Sequence, residues 1–446
     1  MDQEKVYTDS YLSVIIRMTE MQQRQNNFIK EDFMETIGSN AQDLKASNRM
    51  LVLKIIATHF GLSRTQLASI TGLSKMSISN IVSELIASSY IAEFENQKEA
   101  TSSGRKPLSL KLSDDSPCIC GMLIERDFLQ IALGDLSGTL ILPPVNVPLD
   151  NHALSSDEVI QYLYQAFMTL KDRTGRSIIA IGISSIGPLD SKNGLILRPP
   201  FFHNIEIMPI ISEMMKLTEI PTYLMNESNA GALAEKLYGD ASGIANFLYL
   251  HITNGIGAGV VLDNKLYDGE FGQNGGLGHT SINFAGPRCE CGNAGCLELY
   301  ANLKQLRYRI QELKYLYPAS PLAPLSAPSW IQILDAANTR DTLAVLALDQ
   351  FCTYIAQAIT NTLNILDLST IIIDYPFHVP GSTMEDLLMQ KLALLRPQPF
   401  YHSIKVQKST FIGKASLIGS ISIVADKIFD FELPLCFSCT KTDMNL

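Results

Sequence analysis

One stretch of the chain brings three thiols and an imidazole close together in sequence. Residues 278–298 read GHTSINFAGPRCECGNAGCLE, with Cys289, Cys291 and Cys296 in a C-x-C-x4-C spacing and His279 ten residues before the first cysteine. Thiolates and an imidazole in this number suit a closed tetrahedral Zn²⁺ site of the structural kind, with no position left for water. The sequence therefore predicts structural zinc; the alternative is three reduced cysteines packed in a glycine-rich loop.

The chain has 446 residues, enough for two or three domains. Apolar residues make up 46% of it, as in an ordinary protein with a large core, and no apolar run approaches the roughly 20 residues that span a bilayer. The first residues, MDQEKVYTDS, lack the basic start and apolar block of a secretory signal. Eight cysteines in a chain of this length do not resemble a disulfide scaffold. We therefore expect a cytoplasmic protein that spans no membrane.

The charge of the chain is unevenly distributed. The net charge is −10, which by itself argues against nucleic acid as a partner. Between Lys45 and Leu112, however, nine basic residues face four acidic ones, so that this segment carries +5 and the remainder −15. Such asymmetry predicts a basic module attached to an acidic body.

Residues 45–115 have the pattern of a winged helix-turn-helix domain. The first predicted helix stops at Gly61, the second begins after Ser63, and the third begins after Ser74. The apolar stripe of the first helix comprises Met50, Leu53, Ile56, Ala57 and Phe60. Two alternating segments then read as the strands of a wing, residues 90–94 and 108–112. A helix, a short turn with Gly and a second helix form a DNA-binding arrangement; the alternative is the same module used only for protein contact.

The third predicted helix is apolar on one face and small and polar on the other. Small polar side chains are the right size to approach base edges and phosphates. The loop between the wing strands ends in Ser103-Gly104-Arg105-Lys106-Pro107, whose two basic residues could reach a phosphate or the minor groove. The predicted DNA-contacting residues are Lys75, Ser77, Ser79, Asn80, Ser83, Arg105 and Lys106.

The rest of the chain reads as an α/β body between two short terminal segments. Across residues 116–430, short β-like runs alternate with helical ones. Residues 1–44 are polar with one apolar cluster and read as a helical extension for packing or dimer contact. The tail, residues 431–446, holds Cys436-x-x-Cys439, which reads as two free thiols or as half of a metal site.

Together these motifs resemble the ROK family (repressor, open reading frame, kinase). The stretch around the cysteines resembles the family signature, and the segments LSRTQLASITGLSKMSISNIVSELI and SGRKP resemble its regulator branch, in particular the xylose-repressor-like members. The resemblance extends from about residue 45 to residue 430. It implies an N-terminal winged helix-turn-helix followed by an actin-like, sugar-kinase-like fold of two α/β lobes.

The resemblance also implies which residues form the sites. The zinc ligands of the family correspond to His279, Cys289, Cys291 and Cys296, and its sugar-contacting His and Glu correspond to His279 and Glu298. Its N-D-x-N sequence corresponds to Asn226-Glu227-Ser228-Asn229. On their own chemistry, Asn226 and Glu227 suit a polyol, or alternatively they cap the helix after strand 222–225. The implied effector-binding set is Gly187, Asn226, Glu227, His279 and Glu298.

Several departures from the family pattern argue against phosphoryl transfer. In the D-x-G-x-T turn, Leu123 replaces the Asp, the turn glycine and the Thr are missing, and Asp127 is expected where phosphate would bind. Glu227 stands at the position of the catalytic Asp, so its carboxylate lies one methylene further out. The adenosine turn is replaced by Asp374-Tyr375-Pro376-Phe377. We therefore predict no catalytic residues and no enzymatic activity.

Two further departures concern the sugar itself. Gly276 occupies the position of a second sugar-binding Glu, and the loop at residues 199–204, PPFFHN, is unusually aromatic. The rings could stack on a sugar, the pocket could suit a less polar ligand, or the lobes could bind nothing and only dimerise.

The overall prediction is a sequence-specific DNA-binding repressor of carbohydrate genes. A sugar or sugar derivative would bind in a degenerate kinase cleft, and a homodimer or a dimer of dimers would read a pseudo-palindromic double-stranded DNA operator. One alternative is a sugar kinase with a fused DNA-binding domain. The other is a regulator controlled by protein contact, without a small ligand.

Overall fold

The computed structural model describes residues 41–95, 108–149, 154–200, 202–203, 205–253, 255–376, 379–397 and 402–435. The predictions for residues 1–40, for Arg105 and Lys106, and for Cys436 and Cys439 lie outside the described residues. The remaining segments contain a small N-terminal domain and two α/β lobes.

The N-terminal domain is a winged helix-turn-helix, as predicted. Ser63 and Ser74 cap the second and third helices by accepting hydrogen bonds from backbone N–H groups, and Gly72 ends the second helix in the left-handed conformation with φ of 70°. The prediction that Phe60 belongs to the apolar stripe of the first helix is wrong: Phe60 lies beyond the end of that helix and is 77% exposed. The elements are α1 (Ala41–Thr58), α2 (Arg64–Thr71), α3 (Lys75–Ala87) and the antiparallel wing strands β1 (Ile91–Phe94) and β2 (Ser109–Leu112).

The first lobe contains a five-stranded sheet with the order β10-β6-β3-β4-β5. Strands β3, β4 and β5 form an antiparallel meander, while β3, β6 and β10 are parallel. A small three-stranded sheet, β7-β8-β9, lies beside it. The elements are β3 (Cys118–Ile124), β4 (Phe128–Gly134), β5 (Val145–Pro148), α4 (Ser156–Arg173), β6 (Ile178–Ser185), β7 (Leu189–Asp190), β8 (Leu195–Leu197), β9 (Ile207–Met208), α5 (Ile210–Thr218) and β10 (Thr222–Asn226).

The second lobe repeats this topology in the sheet β13-β12-β11-β14-β15. Again an antiparallel meander is joined to parallel strands, here β11, β14 and β15. Two equivalent lobes are the arrangement of the actin-like, sugar-kinase-like fold that was predicted. The elements are α6 (Glu227–Tyr238), β11 (Phe247–Ile252), β12 (Ile256–Leu262), β13 (Lys265–Leu266), α7 (Leu303–Leu313), α8 (Trp330–Asn338), α9 (Thr342–Leu366), β14 (Thr370–Asp374), α10 (Thr383–Leu395), β15 (Lys405–Lys408), α11 (Ala415–Phe429) and 3-10 turns at Leu277–His279, Leu297–Leu299 and Lys314–Leu316.

Helix α11 packs unusually close to the sheet of the first lobe and to helix α6. A Cβ atom added at Gly182 would lie 1.9 Å from the carbonyl oxygen of Ser420, and one added at Gly419 would lie 2.2 Å from the carbonyl oxygen of Ala230. Only glycine allows backbones to approach this closely. Helix α11 is thereby held directly against both neighbouring elements.

Among the described residues, helix α9 is long and apolar enough to cross a membrane by length and composition alone. Its buried residues, which include Phe351 and Ile355, belong to the core of the second lobe. Core helices of proteins that enter no membrane meet the same criterion, so this helix is weak evidence for a membrane span.

Candidate functional site

The cleft between the lobes encloses about 240 Å³. It lies at the carboxyl ends of the parallel strands β3, β6 and β10, which is where open α/β sheets bind ligands. The second lobe contributes strands β11 and β12 and the loop before the cysteines. The polar and ionisable side chains that line the cleft are Glu125, Arg126, Asn226, Glu227, His251, Thr253, Gln273, Asn274, His279 and Glu298.

Asn226 and Glu227 lie at the junction of strand β10 and helix α6. The Asn226 side chain caps α6 by accepting a hydrogen bond from the Ser228 N–H at 3.0 Å, and its amide nitrogen donates to Glu227 Oε2 at 2.7 Å. Both residues also line the cleft. Capping and ligand contact are therefore compatible, because the cap uses the amide oxygen of Asn226 and leaves the carboxyl group of Glu227 facing the cavity.

The carboxyl group of Glu227 has a raised pKa. Its pKa is raised to about 8, chiefly by burial and also by the neighbouring Glu125 carboxylate, while His251 opposes the shift. At neutral pH the group is therefore mostly protonated, and it can both donate and accept a hydrogen bond.

Three further predicted residues line the same cleft. Gly187 lies just after strand β6. His279 and Glu298 belong to the two 3-10 turns that flank the cysteines, and all three residues line the cleft. A Cβ atom added at Gly278 would lie 2.4 Å from the Ile256 carbonyl oxygen, so the backbone before His279 rests directly on strand β12. The structure thus brings the five predicted effector-binding residues together in one cavity.

The four predicted metal ligands also converge. Their ligand atoms all lie within 4.8 Å of one another, with Cys289 Sγ 3.7 Å from His279 Nδ1 and Cys291 Sγ 3.6 Å from Cys296 Sγ. The edges of a tetrahedron with Zn–S and Zn–N bonds of ordinary length are about 3.6 to 3.8 Å. The spacing and the soft donor set therefore fit a four-coordinate metal ion.

The loop that carries these ligands is folded by its own backbone. Cys289 N–H donates to the Asn293 carbonyl oxygen at 2.8 Å and Ile282 N–H donates to the Gly295 carbonyl oxygen at 2.9 Å. A Cβ atom added at Gly295, whose φ is 66°, would lie 1.7 Å from the Asn283 carbonyl oxygen. Glycine is therefore required where the two sides of the loop meet.

The cleft contains a buried ionic network that the sequence analysis did not predict. His251 Nδ1 lies 3.1 Å from Asp374 Oδ2, which also accepts a hydrogen bond from the Tyr249 hydroxyl at 2.9 Å. On the other side of the ring, His251 Nε2 lies 3.8 Å from Glu125 Oε1, which belongs to the first lobe. A single His within the apolar run FLYLHI was the available signal.

The positions that bind a nucleotide in kinases are occupied differently here. Leu123 is buried in strand β3, and the adjacent cleft wall is formed by Glu125 and Arg126, not by Asp127 as expected; Asp127 is exposed and does not line the cavity. Tyr375 is 2% exposed, and its hydroxyl donates to Glu385 Oε1 at 3.0 Å. A large buried side chain, Tyr375, thus stands in the segment that corresponds to the adenosine turn of the family.

The candidate DNA-reading surface is the polar face of α3. Its opposite face is buried through Ile78, Ile81, Val82 and Leu85. Of the predicted DNA contacts on this helix, Lys75, Asn80 and Ser83 are exposed, whereas Ser77 and Ser79 are half-buried.

Arg64 is a basic residue of this surface that the sequence analysis did not single out. Its guanidinium donates to Ser79 Oγ at 3.0 Å and pairs with Glu93 of the wing at 2.9 Å. Arg64 therefore fixes α3 to the wing, and it occupies the hydroxyl of Ser79 that was predicted to meet DNA.

Comparisons with known proteins agree with this architecture. Residues 131–427 match the model of the ROK family. The xylose repressor of Caldicellulosiruptor bescii is 28% identical over 400 residues, covering 87% of this chain and 98% of that protein. A solved ROK family transcriptional regulator, described as a homologue of the E. coli Mlc protein, is 30% identical, with a TM-score of 0.70 and coverage of 87% of this chain and 97% of that one. The glucokinase of Thermotoga maritima is 28% identical over 276 residues, covering 61% of this chain and 86% of that protein.

The fold and site define a two-lobed sugar-kinase-like protein with a winged helix-turn-helix at its N-terminal side. The chain belongs to the ROK family; the xylose repressor and the solved regulator each match 87% of it, whereas the glucokinase matches 61%.

Proposed function

We propose that the chain is a cytoplasmic, sequence-specific DNA-binding repressor of carbohydrate genes. Its α3 surface reads the operator, and a sugar or sugar derivative binds in the interlobe cleft through Gly187, Asn226, Glu227, His279 and Glu298. The similarity to repressors along almost the whole chain supports this proposal.

The DNA-binding domain acts as a pair in a homodimer. Two copies of α3 related by a two-fold axis reach successive major grooves on one face of a duplex, so the operator is a pseudo-palindrome. Lys75 supplies a phosphate contact, and Asn80 supplies a base contact through its amide group.

One observation carries the link between sugar and DNA. Helix α11 begins beside the cleft, where Ser416 Oγ donates to the Glu227 carbonyl oxygen at 3.1 Å, and it ends against α1 of the DNA-binding domain. At that end Lys54 of α1 lies 5.6 Å above the Phe429 ring and 3.7 Å from Asp430. A change in lobe closure therefore moves an element that contacts both the cleft and the DNA-binding domain, and DNA affinity changes by linkage.

The metal held by His279, Cys289, Cys291 and Cys296 is structural zinc. Its four ligands complete a tetrahedral shell, so no position remains for substrate or water. The ion fixes the loop whose two ends place His279 and Glu298 in the cleft, which couples metal binding to effector binding.

The test is selection of DNA from a random pool by the full chain, followed by titration of the selected duplex with D-xylose, D-glucose and N-acetylglucosamine. We expect a two-fold symmetric site whose affinity changes with one of these sugars. A protein that ignores duplex DNA at modest salt contradicts the proposal. Thermal unfolding with the same sugars separates a sugar-controlled regulator from one controlled by protein contact, because a ligand of the folded state raises Tm.

The alternative function is a sugar kinase with a fused DNA-binding domain, which the similarity to a glucokinase favours. The buried Asp374 and Tyr375 oppose it, since they stand in the segment that corresponds to the adenosine turn of the family's kinases. An assay of ADP release over a panel of hexoses decides between the two: steady turnover above background establishes the kinase.

A further inference from the structure

His251 combines deep burial with a ring nitrogen that lacks a hydrogen-bond partner. Its side chain is 7% exposed, and it lines the cleft from strand β11. Nδ1 is satisfied by Asp374 at 3.1 Å, but Nε2 has no hydrogen-bonding partner among the described residues. A buried polar atom without a partner costs free energy, so its presence in a ligand cleft calls for an acceptor that arrives with the ligand.

The groups behind the ring fix its orientation and its charge. Asp374 accepts hydrogen bonds from the Tyr249 hydroxyl at 2.9 Å and from the Gly413 N–H at 2.9 Å, and the carboxylate is therefore held against Nδ1. Asp374 and Glu125 together outweigh burial and raise the pKa of His251 to about 10. At neutral pH both ring nitrogens carry protons, and Nε2 is a donor that faces the space between the lobes.

The acceptor in the first lobe is too far away to satisfy this donor. Glu125 Oε1 lies 3.8 Å from Nε2, beyond the range of an N–H···O hydrogen bond. The gap is open to the cavity, because Glu125, Glu227 and His251 all line it. A ligand hydroxyl group can therefore accept a hydrogen bond from Nε2 and donate a hydrogen bond to the Glu125 carboxylate.

The charges of the cleft disfavour an anionic ligand. At neutral pH the lining cations are Arg126 and His251, and the lining carboxylates are Glu125 and Glu298, while Glu227 is mostly protonated. With the Asp374 carboxylate behind the His251 ring, the carboxylates exceed the cations by one, and a neutral hydroxyl group completes the hydrogen bonds without adding a further negative charge.

We propose that His251 is an effector-contacting residue that donates a hydrogen bond from Nε2 to a hydroxyl oxygen of a neutral carbohydrate bound between the lobes. This inference rests on the proposed function, because it assigns a further contact within the same cleft. It adds a specificity-determining residue from the second lobe that the family signature does not contain.

Two substitutions separate the two ring nitrogens. His251→Asn keeps a donor near Nδ1 for Asp374 and removes the Nε2 donor, whereas His251→Gln keeps a donor near Nε2. We expect His251→Asn to weaken binding of the sugar about ten- to one-hundredfold, in line with the loss of a hydrogen bond from a charged donor, and His251→Gln to retain most of the affinity. His402→Asn, at an exposed histidine, serves as the matched control.

The measurement is calorimetric titration with D-xylose and D-glucose, the monodeoxy forms of the sugar that binds, and D-glucuronate. The wild-type protein discriminates against one monodeoxy form, and His251→Asn loses that discrimination because the same hydrogen bond is missing in both cases. Tighter binding of glucuronate than of glucose contradicts the neutral ligand. Discrimination ratios that do not change in His251→Asn overturn the contact and leave the proposed function intact. Failure of the wild-type protein to bind either sugar, with DNA binding retained, overturns this inference together with the sugar part of the proposed function.

Discussion

His279 Nδ1 lies 3.7 Å from Cys289 Sγ, and the same imidazole lines the interlobe cleft. One ring nitrogen of His279 thus faces the cysteine cluster, which leaves the other for the cavity. The cysteine cluster and the cleft share His279, so we expect a change in the structure of one to alter the structure of the other.

Removal of the metal should therefore weaken both the fold of the loop and ligand binding. Treatment with a strong chelator is expected to lower Tm and to weaken sugar binding, because three thiols and an imidazole lose the ion that holds them together. Differential scanning fluorimetry and metal analysis by mass spectrometry measure the two effects. Cys289→Ala should show the same deficit without chelator and no further loss with it; an unaffected variant would mean that the ion is not structural.

Two substitutions on α3 should reduce DNA binding in different ways. Lys75→Ala should weaken binding to all sequences and reduce the salt dependence by about one unit per protomer, since one phosphate contact is lost. Asn80→Ala should cost about 1–3 kcal/mol at the operator and little on random DNA, since a base contact is lost. Fluorescence anisotropy over a range of salt measures both. Lys304→Ala, at an exposed residue of α7, is the control and should bind DNA as the wild type does.

A larger side chain at Gly182, where strand β6 touches helix α11, should destabilise the protein. In Gly182→Ala the new methyl group would meet the Ser420 carbonyl oxygen at 1.9 Å, so α11 must shift, at a cost of about 1–3 kcal/mol. The response of DNA binding to sugar should weaken as well, because α11 contacts both sites. Urea unfolding and anisotropy measure the two effects. Gly175→Ala is the control, because a Cβ atom there meets no heavy atom within 4 Å; equal stability of the two variants would refute close packing at Gly182.

The protonated carboxyl of Glu227 should appear in the pH dependence of stability. Its pKa rises from 4.5 in the unfolded chain to about 8 in the fold, so the folded state binds the extra proton. The resulting stabilisation is complete below pH 4.5 and is lost as the pH rises through 8. Glu227→Gln should remove this loss, so the difference in unfolding free energy between wild type and variant should change over that window. Urea titrations from pH 5 to pH 9 measure it, and parallel curves would show that Glu227 is ionised in the fold.

The elements that follow a simple period were predictable from the sequence. The apolar stripe of α3 repeats at helical spacing, and Ile78 and Val82 are buried as that spacing requires. Phe60 shares the spacing of the first helix but follows its end, because the turn at Gly61 redirects the chain. A periodic pattern does not report where a helix stops.

The candidate site was predictable only where short motifs carry it. His279 and Glu298 stand in one compact stretch. Glu125, which directly follows strand β3, is distant in sequence from His251 in β11 and Asp374 in β14. Their approach depends on how the two sheets are placed relative to each other, and a single sequence contains no local signal for that placement. Arg64 was missed for the same reason, since its role depends on Glu93 of the wing.

The buried Tyr375 and the Asp374 network have a consequence for how the protein would handle its sugar. If the cleft transfers no phosphoryl group, as the proposed function requires, each bound molecule leaves it chemically unchanged. Occupancy of the cleft would then follow the surrounding sugar concentration at equilibrium, so that a regulator of this kind would register the supply of its ligand without consuming any of it.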